Sequence, residues 1–565
     1  LPVDGLKFRS NLGLDARTVQ DYEFWSAKTS NRGMGTSYAK NAVDKYTMFT
    51  LENMLFYDKT FNDKHTLGVT LLQSIQEDKR ESVNVAMENL PADNLKYYDL
   101  GSGLVTNTIG SSMIKWNMAS FMGRINYNYL GRYLLTVSAR YDGSSRLADG
   151  HKWVLFPSAA LAWRINEESF MSSTSGWLDN LKLRLGFGKT GNSAVDPYQT
   201  KGTLSLIRYP FDNGGTPTIG YAPNAMANSL LTWETTDQWN LGIDFGVLRG
   251  RINGTIDLYM QNTHDLLLKR QLPVVSGFPD VLSNVGKTRN KGIEVSINSM
   301  NINSKDFQWT TDLMLSSNKE EIVELYNGKN DDIGSKWFIG QPVNVHYDYR
   351  KVGIWQNTES DLAEMAKFAA NGTEFAPGDI KIQDVNGDYK ITDADKQILG
   401  NPRPKLIASM VNTFNYKGFD LSVFLYASFG AMLYNDIYAV EHCGRNGGVK
   451  VDYWTPNNPT NAYPRPSIDE ERPIYITSTY YEKADFLRVK TMTLGYTLPK
   501  TLTNKFLVEK LRVYFTAQNP FIFTNYTGID PEAAKVNSAG NPETNGSGFG
   551  TPSVSSWIFG INLTL

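Results

Sequence analysis

The chain has 565 residues, 41% of them apolar and 20% charged, with 47 Gly, 23 Pro and 12% aromatics. Lys and Arg (56) nearly cancel Asp and Glu (58), so nothing marks a nucleic-acid or polyanion surface. One Cys and five scattered His exclude a disulfide framework, a thiolate metal site and an HExxH zinc centre. The 30 Tyr, 27 Phe and 12 Trp give the chain much to bury and argue against disorder. No run of about 18 apolar residues exists to form a transmembrane helix. A mean hydropathy of −0.36 is nevertheless compatible with transmembrane strands, whose apolar and polar faces average out. The opening Leu1 and the absence of a basic, then apolar, leader read as a mature or partial chain.

The dominant hydropathy period is two. Taken in chain order, alternation predicts strands near 4–13, 47–58, 64–76, 118–130, 132–142, 153–166, 179–190 and 231–246. They continue near 250–263, 287–299, 306–317, 406–416, 419–429, 484–497, 509–519 and 554–565. That makes about 16 antiparallel strands. In the strand from 252, Ile252, Ile256, Leu258 and Met260 oppose Asn253, Thr255, Asp257 and Gln261. Eleven residues at ~3.3 Å, tilted about 40°, rise roughly 28 Å, close to the hydrocarbon thickness of a bilayer.

Connections are expected to alternate. Short turns fall around Asn62, Gly131, Glu168, Leu248, Asn303, Lys417 and Asn504. Long loops fall at 14–46, 77–117, 143–152, 191–230, 264–286, 318–405, 430–483 and 520–553. A soluble sandwich or propeller also alternates, but it has no reason to keep that parity; short turns on one side and long loops on the other is the plan of an outer-membrane barrel. Pro342–Gln356 alternates too, but a spanning strand there would break the parity, so it belongs to the large external loop.

Eight residue blocks in order over 120–565 then resemble one family. They are SFMGRINYNYLGRYLLTVSARYDGSSRLADGHKWVLFPSAALAWRINEESF (120–170), LKLRLGFGKTGN (181–192) with Pro197 and Tyr198, LTWETTDQWNLGIDFGVLRGRINGTIDLYMQNTHDLLL (231–268) and SNVGKTRNKGIEVSI (283–297). Further along stand GDIKIQDVNGDYKITDADKQILGNPRPK (378–405), NTFNYKGFDLSVFLYASFG (412–430), ADFLRVKTMTLGYTLP (484–499) and LRVYFTAQNPFIFTNYTGIDPE (511–532). They resemble the SusC/RagA-type TonB-dependent outer-membrane transporters of Bacteroidota. The resemblance implies a 22-stranded barrel with a plug, a SusD-like surface lipoprotein as lid, and TonB as the energy source. The whole of 1–565 would then be the C-terminal part of the barrel, about strands 7 to 22, with no plug domain in this chain. Six missing strands would leave two open edges in lipid, each orphan backbone group costing several kcal/mol, so those strands are expected elsewhere.

Within the large extracellular loop 318–405, segment 384–395 has EF-hand-like spacing. Asp384, Asn386 and Asp388 would fill positions 1, 3 and 5, Lys390 would give its carbonyl, and Thr392 and Asp395 would stand at 9 and 12. Tyr389 stands where Gly is usual, and Asp is a shorter arm than Glu. A Ca2+ loop and an Asx-rich turn bonding its own backbone are both open, and either would brace the loop. Cys443 beside His442 reads as an incidental thiol, since a nucleophile needs an oriented base. The Gly-rich 186–192 lacks phosphate-loop spacing. Acid pairs such as Glu167–Glu168 and Asp331–Asp332 carry no catalytic signal, and no enzyme is expected.

Cargo contacts are expected from inward polar residues and from the loop aromatics Trp337, Trp355, Tyr453, Trp454, Tyr480 and Tyr481. Such rings stack on sugars and also pack on peptide side chains, so an oligosaccharide and an oligopeptide stay equally open. The expectation is active import of such an oligomer across the outer membrane. A passive 16-stranded porin and a soluble secreted glycan-binding or glycan-cleaving β-protein are the alternatives.

Overall fold

The computed structural model describes residues 3–565 except 34, 194, 212–217, 436–449, 467–472, 504, 506–507 and 533–551. Sixteen strands form one sheet in which each strand lies beside its successor in the chain. They are β1 (Leu6–Trp25), β2 (Tyr38–Phe61), β3 (His65–Glu88), β4 (Val105–Tyr129), β5 (Tyr133–Ser144), β6 (Trp153–Arg164), β7 (Leu178–Asn192) and β8 (Glu234–Val247). The remainder are β9 (Ile252–His264), β10 (Lys287–Asn303), β11 (Phe307–Glu324), β12 (Leu406–Tyr416), β13 (Phe419–Phe429), β14 (Phe486–Thr497), β15 (Lys510–Thr524) and β16 (Ser556–Thr564). Among the described residues no helix is long and apolar enough to cross a membrane. The sixteen expected strands are the sixteen found, and β12 and β13 match to the residue.

The chain divides into two compact units. The first holds Leu1–Arg164, Arg184–Asn240 and Gln261–Lys287; the second holds Ile165–Leu183, Leu241–Met260 and Thr288–Leu565.

In the first unit, cross-strand register sorts side chains by face. Leu6, Phe8, Leu12 and Leu14 lie opposite Tyr57, Leu55, Leu51 and Phe49 on one face. Arg9, Asn11, Asp15 and Arg17 lie opposite Met54, Glu52, Met48 and Tyr46 on the other. The apolar face is the lipid side and the charged face the interior side, because charge in hydrocarbon is costly. Farther along β2–β4 the apolar face itself turns charged, at Lys45, Glu77, Lys79, Glu81 and Lys115, with Lys79–Glu81 2.9 Å and Lys115–Glu77 2.8 Å apart.

Here the structure corrects the expected loops. β1 runs 20 residues, β2 and β3 each 24, and β4 25, so the connections shrink from 14–46 and 77–117 to 26–37 and 89–104. Past Leu14, Phe49 and Ile75 both faces are largely polar, so the apolar alternation vanishes while the backbone ladder continues. Ion pairs decorate it: Lys40 with Asp21 (2.6 Å) and Glu23 (2.8 Å), and Arg80 with Asp44 (3.3 Å).

The short turns follow local chemistry. Asn62–Asp63 and Leu130–Gly131, in three-residue turns, and Lys417–Gly418, a two-residue turn, all have positive φ, the conformation that tight hairpin turns need to match strand twist. The parity has exceptions in length. The expected long connection after β5 is only 145–152, whereas the expected short turn after β6 spans 165–177 with two short 3-10 segments, and that after β14 spans 498–509 with the short helix Lys500–Thr503.

In the second unit, strands β13–β15 show why a Gly stands at 495. The Arg512 guanidinium crosses β14 to grip Asp420 on β13 with two bonds, 2.8 and 2.5 Å. A Cβ on Gly495 would lie 2.4 Å from that guanidinium. The connections after β11 and β13 fold together into one body. Short strands pair as His346–Asp348 with Gln397–Gly400 and as Lys351–Ile354 with Ile380–Ile382, and Pro342–Gln356 is thus part of the connection, as expected. Helix α1 (Glu359–Ala370) starts where the Thr358 side chain accepts the Asp361 N–H. Two cores hold the body: Ile354, Ile380, Ile382, Trp454, Ile476 and Tyr480 in one, Trp355, Met365 and Phe368 in the other.

Candidate cargo-contact surfaces

The loop body uses most of the expected aromatics for its own packing. Trp355 is 1% exposed, and the Lys381 ammonium lies 4.1 Å over its ring, held by Asp361 (3.1 Å) and Glu364 (2.5 Å). Trp454 is buried and donates its indole N–H to Gln356 at 2.8 Å. Tyr480 is buried in the same core. Tyr481 donates its hydroxyl to Asp348 at 3.0 Å, and burial together with that carboxylate pushes the phenol far above its ordinary pKa. Trp337 is half-buried, its backbone paired with Asp332. Tyr453 is 45% exposed. Trp355, Trp454 and Tyr480 therefore present no open face for stacking, and Tyr453 is the one of the six classed as exposed. The physical reason is that two long connections lower their free energy by burying their rings against each other, as Trp454 and Tyr480 do against Ile354, Ile380 and Ile382.

Sequence reasoning missed the aromatics that line a cavity in this body. Phe375 and Tyr475 face about 490 Å3 of space together with Pro464, Arg465, Asp379 and Glu374. Arg465 pairs with Asp379 at 2.8 Å, so the wall combines apolar faces with one engaged ion pair. Tyr475 has φ 63, a left-handed conformation costly for a non-Gly residue, and burial raises its phenol pKa. No local sequence signal marks this residue, because the rest of the body imposes its backbone.

Segment 384–395 closes on itself. Asp384 accepts the N–H groups of Gly387 (2.7 Å) and Tyr389 (2.8 Å), and Asn386 accepts that of Asp388 (3.0 Å). Asp388 accepts the N–H of Lys390 at 2.8 Å. Asp395, fully buried, accepts from Val385 (2.9 Å) and Thr392 (2.8 Å), while the Thr392 hydroxyl caps Ala394. Tyr389 takes the left-handed conformation, φ 57, at the position where a calcium loop has Gly, and its ring packs edge-on against Phe368. Among the described residues no group of three or more His, Cys, Asp or Glu side chains is placed to hold a metal ion. Cys443 and His442 lie outside the described residues.

The first unit offers a second surface, on the interior face of the tall strands. Arg17 and Arg80 lie on the Tyr46 ring at 4.5 and 5.0 Å, and Arg146 lies 3.9 Å over Trp116. Asp15, Asp44 and Asp78 stand on the same face. The surface is thus polar and of mixed sign.

The family model for the TonB dependent receptor-like β-barrel matches residues 4–520. TonB-dependent receptor P3 of Formosa agariphila is 32% identical over 581 residues, covering 99% of this chain and 56% of the relative. TonB-dependent receptor SusC of Bacteroides thetaiotaomicron is 35% identical over 434 residues, covering 74% of this chain and 41% of SusC. The chain thus spans about half the length of the curated relatives it matches. In fold it is similar to the RagAB peptide importer in the "open-open" state, with TM-score 0.83, 22% identity, and coverage of 100% of this chain and 60% of that one. With sixteen strands laid in chain order, one apolar face and a family match over most of its length, the chain belongs to the TonB-dependent receptor β-barrel family of the outer membrane.

Proposed function

We propose that the chain is the larger part of the barrel of an active importer that brings a nutrient oligomer across the outer membrane. The observation that carries this is the match to SusC and the P3 receptor over most of the chain. Its relatives are receptors and transporters rather than enzymes. Since the chain covers 56% of the P3 receptor, a plug and further strands supply the rest of the machine. Those strands satisfy the edges of β1 and β16, whose free backbone groups each cost several kcal/mol in hydrocarbon. A SusD-like lipoprotein closes over the long connections, and TonB acts through the plug. A passive porin has no use for a separately packed loop body.

The cargo is an oligosaccharide or an oligopeptide. The resemblance to the SusC/RagA type leaves both open, and the mixed-sign interior face supports the second. Native mass spectrometry of the detergent-extracted particle tests the reading. A plug-bearing segment and a lipoprotein in the particle support it, and bound oligomer then identifies the cargo. A particle built only of 63.4 kDa chains overturns it.

Segment 384–395 braces the loop body, as a calcium loop or as the self-bonded turn that its hydrogen bonds favour. Chelation separates the two: loss of protease resistance in EDTA supports calcium, and unchanged resistance supports the turn.

A further inference from the structure

The cavity of about 490 Å3 in the loop body is built from both connections. Glu374, Phe375 and Asp379 reach it from the connection after β11, and Pro464, Arg465 and Tyr475 from that after β13. Its walls include the buried Ile380, 1% exposed, and the buried Pro464, so the space is held open by packed residues.

The polar groups of the wall are fixed in advance. Arg465 donates its backbone N–H to the Gly378 carbonyl at 2.8 Å and its Nε to Asp379 Oδ1 at 2.8 Å. The second Asp379 oxygen accepts the Ala376 N–H at 2.8 Å. Gly378 has φ 93, and a Cβ there would lie 2.7 Å from that of Arg465, so this close approach requires Gly. Tyr475 is also held left-handed, φ 63, and strained backbone of this kind collects at ligand clamps.

The wall carries apolar faces, donors and acceptors together. The Phe375 and Tyr475 rings, 6.4 Å apart, supply the faces. Arg465 spends only Nε on Asp379, so among the described residues its terminal nitrogens stay available as donors. Glu374 is exposed and, among the described residues, makes no side-chain hydrogen bond or ion pair, which leaves its carboxylate available as an acceptor.

A ligand of one charge suits only part of such a wall. An anion meets Glu374 and Asp379, a cation meets Arg465, and each leaves the opposite groups unmatched. An uncharged polyol uses both, because every hydroxyl donates one bond and accepts others. A sugar ring adds a C–H face that packs on an aromatic ring.

We propose that this cavity is a subsite for one neutral sugar ring of the cargo, with the ring packed on the aromatic wall and its hydroxyls bonding Arg465 and Glu374. The inference rests on the importer reading and narrows its cargo to an oligosaccharide. The interior face of the first unit, with charges of both signs, does not oppose an uncharged cargo.

The test uses the full detergent-extracted transporter, titrated by calorimetry with neutral tetrasaccharides of glucose, xylose, mannose and galactose, and with tetralysine and tetraglutamate. The expected result is that at least one tetrasaccharide binds. Tyr475→Gly, which removes the ring at a backbone conformation that suits Gly, and Glu374→Ala each raise its Kd about tenfold or more, and neither variant changes any binding of the peptides. Glu374→Ala alters an exposed side chain and keeps the test decisive if Tyr475→Gly loosens the body, as read by protease resistance of 325–405. No tetrasaccharide binding, a Kd unchanged in a folded variant, or peptide binding that Glu374→Ala weakens overturns the proposal. The importer reading fails separately, through a particle that lacks a plug-bearing segment and a lipoprotein.

Discussion

The tall strands of the first unit and the loop body of the second leave the membrane by different means. β1–β4 simply continue, as a ribbon whose backbone ladder persists while both faces turn polar. The connections after β11 and β13 instead gather short strands, one helix and two small apolar cores. The ribbon spreads its stability over many backbone hydrogen bonds, so no single side chain is critical. The body concentrates its stability in a few buried rings and so should be fragile at those points.

The largest expected effect lies in the body. Trp355→Ala removes a ring that is 1% exposed, at a cost of about 3–5 kcal/mol. Limited proteolysis should then cut within 325–405 while the heat-modifiable barrel stays intact. Unchanged resistance would break the comparison. Asp395→Ala should follow, at about 1–3 kcal/mol, because the buried carboxylate that accepts from the Val385 and Thr392 N–H groups is lost. The same proteolysis reads it, and Asp395→Asn should recover part of the loss.

pH should sharpen the contrast. Burial lowers the pKa of Lys351, whose ammonium meets the Ala462 carbonyl at 2.7 Å, to about 8. Between pH 8 and the ordinary lysine value of 10.5, the unfolded chain holds a proton that the folded body does not. Stability of the body should therefore rise with pH across that window and be lower beneath it. Lys351→Met should flatten the dependence, as followed by protease resistance from pH 7 to 10. The smallest effect is expected in the ribbon. Arg80→Ala removes an exposed pair with Asp44 and should cost under about 1 kcal/mol, without new cleavage sites between 76 and 88.

How far each region was legible follows from the same contrast. The spanning parts of the strands were legible because lipid on one side and water on the other force a period of two. The Lys417–Gly418 turn was legible because two-residue hairpins need positive φ. The upper halves of β1–β4 were not, since with water on both faces their composition no longer differs from that of a loop. Among the candidate contacts, Tyr453 is open, whereas the other five aromatics pack or bond within the body. An aromatic in a long connection reads the same in sequence whether it faces cargo or a core.

The sequence alone determined the strand count, the alternation of faces, the family and the absence of a thiolate or HExxH metal centre, because each depends on local pattern or on residues present in the chain. Only the tertiary structure decided which rings are buried, that Asp384 and Asp395 turn onto their own loop, and that Arg465 meets Asp379 beside Phe375 and Tyr475. Those outcomes depend on register and on contacts between residues far apart in the chain, and register is set by the sheet as a whole.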